Sequence, residues 1–334
     1  MQRISFLDIT KGIGIIAVVI GHSIRPDILP AHFISMWHMP LFFFASGMCF
    51  NVDKYCSKLN GAFLKSRIKS LLVPLLMAML IFCTVFLITG YEYYTPDMIL
   101  DMRVPFALWF LVSLFCCQTA YWLWCLIAKA VGRIPLYISE ALFVMANVAV
   151  AVMFESNNIE LPFSLHNVPL AIAFYGFGHL LRNTIINAME HASGMKSLVR
   201  FGIIAFEILY LAAFIVYGDD AISFADNHLP HPWPLTLMVS LLSIDAVMKI
   251  SNEIDKAKSR PATFIARCLN YLGTNTLTIL IFHMWWMRLC KDFLRPIIGI
   301  GIEPLLVWLL LIPTIYIINR YTPWIVGKRR SYAR

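Results

Sequence analysis

The sequence has little charge, fewer acids than bases, and no long polar tract. Only 14% of its 334 residues are charged, with 19 Asp and Glu against 27 Lys and Arg, while 60% are hydrophobic. With a mean hydropathy of +0.73, this composition lies outside the range of soluble domains of this size. No CxxC pair or Cys/His ligand spacing occurs. The eight cysteines, Cys49, Cys56, Cys83, Cys116, Cys117, Cys125, Cys268 and Cys290, therefore read as core thiols that imply neither disulfides nor zinc. The first apolar run has no small-residue cleavage site, so no signal peptide is expected and the whole chain reads as mature. There is no internal repeat or low-complexity tract, and the polar stretches near 51–69, 183–199 and 250–268 are loop-sized. The expectation is one membrane-embedded domain over residues 1–334, with no separate soluble domain.

What the chain does have is apolar runs, at 10–24, 34–50, 70–90, 105–128, 135–154, 168–182, 200–217, 233–249, 270–290 and 302–320. These predict an all-α polytopic bundle of about ten transmembrane helices, the first, second and sixth being short. Placing both termini in the cytosol puts Lys54, Lys58, Lys65, Arg67, Lys69, Lys129, Arg133, Arg182, Lys196, Arg200, Lys249, Lys256, Lys258, Arg260 and Arg267 in the inner loops. The tail adds Arg320, Lys328, Arg329, Arg330 and Arg334, while the outer loops collect Glu92, Asp97, Asp101, Glu155, Glu160, Asp219, Asp220 and Asp226. This asymmetry is the positive-inside pattern of a multi-pass protein of the cell (inner or plasma) membrane. It accounts for the net charge of +8 and removes nucleic acid as a partner.

The first run, "DITKGIGIIAVVIGHS", carries Asp8, Lys11 and His22. On a helix the eleven steps from Lys11 to His22 return to within about 20° after roughly 16 Å, so the two share a face. Asp8 lies one turn before Lys11, where it offsets part of the charge. Gly12, Gly14 and Gly21 leave room for a neighbouring helix or a ligand. Two readings stand on this stripe alone: a topology anchor with an interfacial histidine, or a functional polar path.

A resemblance decides between them. "DITKGIGIIAVVIGH", followed by "HMPLFFFASGMCF" at 38–50, resembles the opening of the membrane acyltransferase-3 family, particularly its fucose 4-O-acetylase-like and polysaccharide O-acetyltransferase branch. The family's first helix carries a basic residue, ten intervening residues and a histidine, which fall on Lys11 and His22. Its basic-x-basic motif falls on Arg67 and Lys69 in "KSRIKSLLVP". "LWFL" at 108–111, "FYGFGHLLR" at 174–182 and "LGTNTLTILIFH", ending in His283, extend the similarity along the chain. Lys11 and Lys69 stand where many members have arginine, which keeps the charge and loses the bidentate fork. No extracytoplasmic hydrolase-like domain of the kind some relatives carry is expected, so an acceptor would be met by the bundle itself.

The resemblance implies transfer of an acyl group, usually acetyl, from cytosolic acyl-CoA to a hydroxyl of a cell-surface polysaccharide or lipid-linked glycan precursor. A sugar hydroxyl needs a base, and imidazole has a suitable pKa, so His22 is the candidate base, with an acyl-histidine variant left open. The polyanionic donor, acetyl-CoA, calls for cations, for which Arg67, Lys69 and Lys11 are the candidates. For Arg67 and Lys69 the alternative is an ordinary positive-inside loop. His283, deep in the ninth run before Trp285 and Trp286, is expected to face a cavity or polar partner. There it would orient His22, bind acceptor or assist the thioester carbonyl.

His38, before Met39 and Pro40, is assigned either a backbone-bonding or a site role. His32 and His38 have no third ligand at a sensible spacing, so no metal is expected. His179 reads as interfacial; Glu207 and Asp245 are either buried pair members or part of the pathway. Trp109 and Phe110 read as packing residues, and Tyr91, Tyr93, Tyr94, Trp233 and the loop "DNHLPHPWP" as outer surfaces where a sugar could stack. The rival reading is a secondary transporter whose path runs through Asp8, Lys11, His22 and His283. Against it stands the absence of an internal repeat and of paired Gly/Pro-broken helices. A scaffold without catalysis would leave the cost of the buried polar stripe unexplained.

Overall fold

The computed structural model describes residues 4–24, 29–57, 61–192, 199, 201–208, 223–230, 232–294 and 303–328. Lys58, Lys196, Arg200, Asp219, Asp220, His231, Arg329, Arg330 and Arg334, and the second half of the run at 200–217, lie outside these residues. The described chain is helical. The main helices are α1 (Phe6–Ser23), α2 (Leu29–Ser35), α3 (His38–Met48), α4 (Ala62–Thr89), α5 (Phe106–Val131) and α6 (Leu136–Ser156). They continue with α7 (Val168–Ala192), α8 (Trp233–Lys256), α9 (Arg260–Thr274), α10 (Thr276–Leu289) and α11 (Glu303–Tyr321). Six of them, α1, α4, α5, α6, α8 and α11, are long and apolar enough to cross a membrane, which makes this a multi-pass membrane protein.

Burial sorts the helices into a centre and a rim. In α1, 61% of the residues are buried inside the bundle, against 28% in α6 and 22% in α11. α1 packs against α3, α8, α9 and α10, and α3 packs mainly along α7. A helix that is apolar all round belongs in the interior, and α3 meets that description: every residue except His38 and Ser46 is buried. Its 11 residues rise only about 16 Å, half of a hydrocarbon core. The apolar run at 34–50 is therefore not one span, because the chain turns at Met36–Trp37 between α2 and α3.

The run at 270–290 divides in the same way. Asn275 ends α9 and opens α10, and its amide Nδ2 donates to the Tyr271 carbonyl at 2.7 Å. The sixth run, expected to be short, lies in the 25-residue α7, because the polar stretch after Arg182 continues the same helix. Close approach of backbones holds the centre together. A Cβ on Gly273 would collide with the Asp8 carbonyl and one on Gly12 with the Leu269 carbonyl, so these glycines press α9 onto α1. The space at Gly12 is thus taken by a helix, and side chains of Leu41, Phe42 and Ile34 occupy that beside Gly14 and Gly21.

Within α4 the ladder widens to a π turn at Ile68–Leu72. Pro74 has no N–H to give the Ser70 carbonyl, and the wider turn accommodates that loss. The turn carries Lys69, with Arg67 immediately before it.

Candidate active site

Two cavities, each of about 160 Å³, lie along one face of α1. Lys11 and Ile15 line the first with Phe42 and Ser46 of α3, Leu71 of the π turn, Phe110, Leu111 and Leu114 of α5, and Thr276, Leu277 and Leu280 of α10. Val18 and His22 line the second with His38, Met39, Ala107, Trp109, Leu280 and the loop residues Ser223, Phe224 and Ala225. Leu280 is a wall of both, so they are adjacent. Lys11, Ile15, Val18 and His22 follow one another at helical spacing on the same face. The polar stripe is therefore interrupted: its ends are charged and imidazole, and its middle is an apolar throat. The two unburied residues of α3 reach the two cavities, Ser46 the first and His38 the second.

At the Lys11 end, the Lys11 ammonium pairs with the Asp8 carboxylate at 2.6 Å, the i,i+3 contact that a helix favours. Arg67 donates from Nη1 to Gln118 Oε1 at 3.3 Å, lies over the Phe63 ring at 5.4 Å, and keeps a buried Nε without a partner. Neither Arg67 nor the exposed Lys69 lines either of these two cavities; Lys69 lies in the π turn that supplies Leu71, and Arg67 immediately precedes that turn.

Three imidazoles gather at the His22 end. His22 is exposed to the cavity, and its ring centroid lies 5.4 Å from that of His283, at 40°. His283 is fully buried, and its Nδ1 donates to the carbonyls of Ile279 and Leu280, each at 3.0 Å. A carbonyl can only accept, so the proton is on Nδ1 and Nε2 is a lone pair. That Nε2 is buried without a hydrogen-bond partner. His38 has the same arrangement, with Nδ1 donating to the Ile34 carbonyl at 2.8 Å across the turn between α2 and α3. The backbone-bonding role is thus the one seen directly, and the side chain also lines the second cavity. Among the described residues, no three His, Cys, Asp or Glu side chains converge as a metal site would require.

Aromatic rings border this second cavity. Trp109 and Phe224 stack at 5.9 Å and 16°, and Phe224 stacks on Phe43 at 4.9 Å. Trp109 is thus a cavity wall as well as a packing residue, whereas Phe110 belongs to the Lys11 cavity. Phe224 carries no sequence signal, since only its loop's fold brings it over α5. That loop is pinned by His166 Nε2 to the Ala225 carbonyl at 2.9 Å, by Asn227 Nδ2 donating to the Ala151 carbonyl at 2.8 Å, and by Glu155 accepting from the Leu229 N–H at 2.7 Å. Tyr93 and Tyr94 are buried and Tyr91 donates to Asp292 at 2.8 Å, so these tyrosines are not an open stacking surface.

Other polar residues form structural clusters elsewhere. His179 has partners inside the bundle: it meets buried Glu140 at 3.5 Å and the Tyr121 hydroxyl at 3.2 Å, and Cys125 donates to Glu140 at 3.1 Å. Lys249 bridges Glu207 and Asp245, the latter at 2.7 Å, which makes both acids ion-pair members. Of the cysteines, Cys49 and Cys268 are exposed rather than core, and all eight are free thiols.

Compared with known families, residues 4–319 match the acyltransferase-3 family model, described as an acyltransferase domain. No curated protein matches the chain, and no solved structure does.

Proposed function

This chain belongs to the acyltransferase-3 family, and from that premise we propose that it moves an acyl group, acetyl in the first instance, from acyl-CoA to a hydroxyl of a cell-surface polysaccharide or lipid-linked glycan. The observation that carries this reading is the pair of adjoining cavities on one face of α1, with Lys11 at one end and His22 at the other. In this reading the donor enters at the Lys11 end. Its nucleotide phosphates stay with Lys11, Arg67 and Lys69 at the cytosolic face, where charge-assisted contacts to phosphate are strong. Its neutral arm and thioester pass Ile15, Leu280 and Val18, an apolar throat that offers the arm's uncharged length nothing to repel.

The acceptor hydroxyl approaches His22 beside Trp109. His22 takes the hydroxyl proton as the oxygen attacks the thioester carbonyl; the C–S bond then breaks, and the departing thiolate receives that proton. The Nε2 lone pair of His283 suits it to accept from a His22 N–H, which would aim the other His22 nitrogen at the acceptor. Asp8 holds Lys11 in place. The whole chain acts as one membrane domain in the cell membrane, with both termini cytosolic.

The test is turnover of labelled acetyl-CoA by purified protein in nanodiscs supplied with glycan extract. Wild type should transfer label, and His22→Ala, inserted and folded as judged by thermal unfolding, should not; transfer at the wild-type rate by that variant would remove His22 from the mechanism. One observation favours a second reading. The breaks at Met36–Trp37 and Asn275 give the chain two interrupted helices beside its polar path, a feature of secondary transporters. Solute uptake into proteoliposomes without any acyl-CoA would support it.

A further inference from the structure

The chain after α11 folds back toward the Lys11 end. A short turn, Pro323–Val326, leads to Gly327, whose φ of +69° is in the left-handed region that glycine adopts freely. A Cβ there would also stand 2.8 Å from the Lys69 carbonyl oxygen, so glycine is what lets this segment lie on the π turn of α4. The Lys328 N–H then donates to the Pro323 carbonyl at 2.9 Å, which fixes the direction of the next side chain.

That side chain reaches the break between α9 and α10. Lys328 Nζ donates to Asn275 Oδ1 at 2.6 Å and to Asn319 Oδ1 at 2.9 Å. Asn319 Nδ2 donates to Asn275 Oδ1 at 2.8 Å, and Asn275 Nδ2 to the Tyr271 carbonyl at 2.7 Å, so both amides are oriented with their oxygens toward the ammonium. Among the described residues no carboxylate pairs with Lys328. An ammonium has three N–H groups; two are held by neutral oxygens and, among the described residues, the third has no partner. A half-buried cation without a counter-charge is costly, and burial alone lowers its pKa below the ordinary lysine value. The next residue after Asn275 is Thr276, which lines the Lys11 cavity. Asp8, the partner of Lys11, touches Gly273 on the preceding turn.

We propose that Lys328, held by Asn319 and by Asn275, the residue before the cavity-lining Thr276, is a phosphate-binding residue for the nucleotide end of the acyl donor. This rests on the donor reading above. It assigns to the C-terminal segment a cation that the Lys11–His22 and Arg67–Lys69 motifs leave out, and it explains why a buried amide, Asn275, and a half-buried one, Asn319, are spent on an ammonium instead of a carboxylate.

The experiment is donor affinity and steady-state kinetics in nanodiscs of phosphatidylcholine, for wild type, Lys328→Ala and Lys328→Arg, with acetyl-CoA and with acetyl-pantetheine, which lacks the nucleotide. Loss of one charge-assisted contact should raise the KM and Kd for acetyl-CoA about tenfold or more in Lys328→Ala. kcat and the acetyl-pantetheine kinetics should be unchanged, and Lys328→Arg should recover most of the affinity. Equal acetyl-CoA affinity in wild type and Lys328→Ala would overturn the assignment, and so would a parallel loss with acetyl-pantetheine, which would mark a structural role. A defect that appears only when phosphatidylglycerol replaces phosphatidylcholine would give the phosphate contact to lipid and overturn it as well. If wild type binds no acetyl-CoA, the donor reading itself falls; if wild type binds and only the variants fail to differ, this assignment alone falls.

Discussion

The two ends of α1 solve opposite problems with the same helix face. At the Lys11 end the polar groups are cationic side chains that are already engaged: Lys11 with Asp8, Arg67 with Gln118, Lys328 with two asparagines. At the His22 end the polar groups are imidazoles among aromatic rings, two of them with Nδ1 tied to backbone carbonyls, and one Nε2 left without a partner. Fixed charge suits holding a polyanion, and a titratable lone pair suits moving a proton. Between them Ile15, Val18 and Leu280 keep the two environments apart.

The strongest way to break this contrast is to remove the proposed proton carrier. His22→Ala should lower kcat for transfer by roughly 10²- to 10⁴-fold, the usual share of a positioned base, while acetyl-CoA binding measured by calorimetry stays at the wild-type value. At the other end Arg67→Ala should do the reverse, raising the donor KM about tenfold with kcat held, as expected when a charge-assisted contact to phosphate is lost.

Two smaller effects sharpen the same division. Trp109→Leu should raise the acceptor KM a few-fold, on the scale of one aromatic face, and leave the donor KM unchanged; a change in donor KM instead would place Trp109 in the wrong half. The pH profile should also divide. Lys328 neighbours the neutral Asn275 and Asn319, with Lys69 on the turn beneath and Tyr271 beyond Asn275. Its lowered pKa means that the charged form disappears as pH rises before an ordinary lysine would lose its proton. The donor KM should therefore begin to climb on the alkaline side below that ordinary value, and Lys328→Arg, which stays charged, should flatten the limb. No change between the two profiles would detach Lys328 from donor binding.

How far the sequence reveals these two ends depends on range. The Lys11 to His22 spacing and the Asp8 pair are local to one helix, and 3.6-residue periodicity is enough to see them. His283 was recognisable as a buried imidazole with a polar surrounding because an intramembrane histidine needs one. Its 5.4 Å approach to His22 required tertiary packing. The breaks at Met36–Trp37 and Asn275 were hidden because apolar composition continues across them. Hydropathy averages over the residues where the backbone turns. Arg182 and the polar residues after it concealed the continuation of α7 for the opposite reason. Trp109, Phe224 and Lys328 reach their positions through contacts distant in sequence, and no local pattern announces such contacts. The partner of His179, Glu140, was hidden because it belongs to another helix.

The most direct measurement is sidedness. Protein reconstituted in one orientation into sealed proteoliposomes would receive labelled acetyl-CoA only on the face bearing Lys11, with a glycan acceptor only on the face bearing His22. If the two cavities form one route, acetyl label will appear on the acceptor across the membrane in wild type and not in His22→Ala, while the nucleotide remains on its own side. Transfer only when donor and acceptor share a compartment would contradict it.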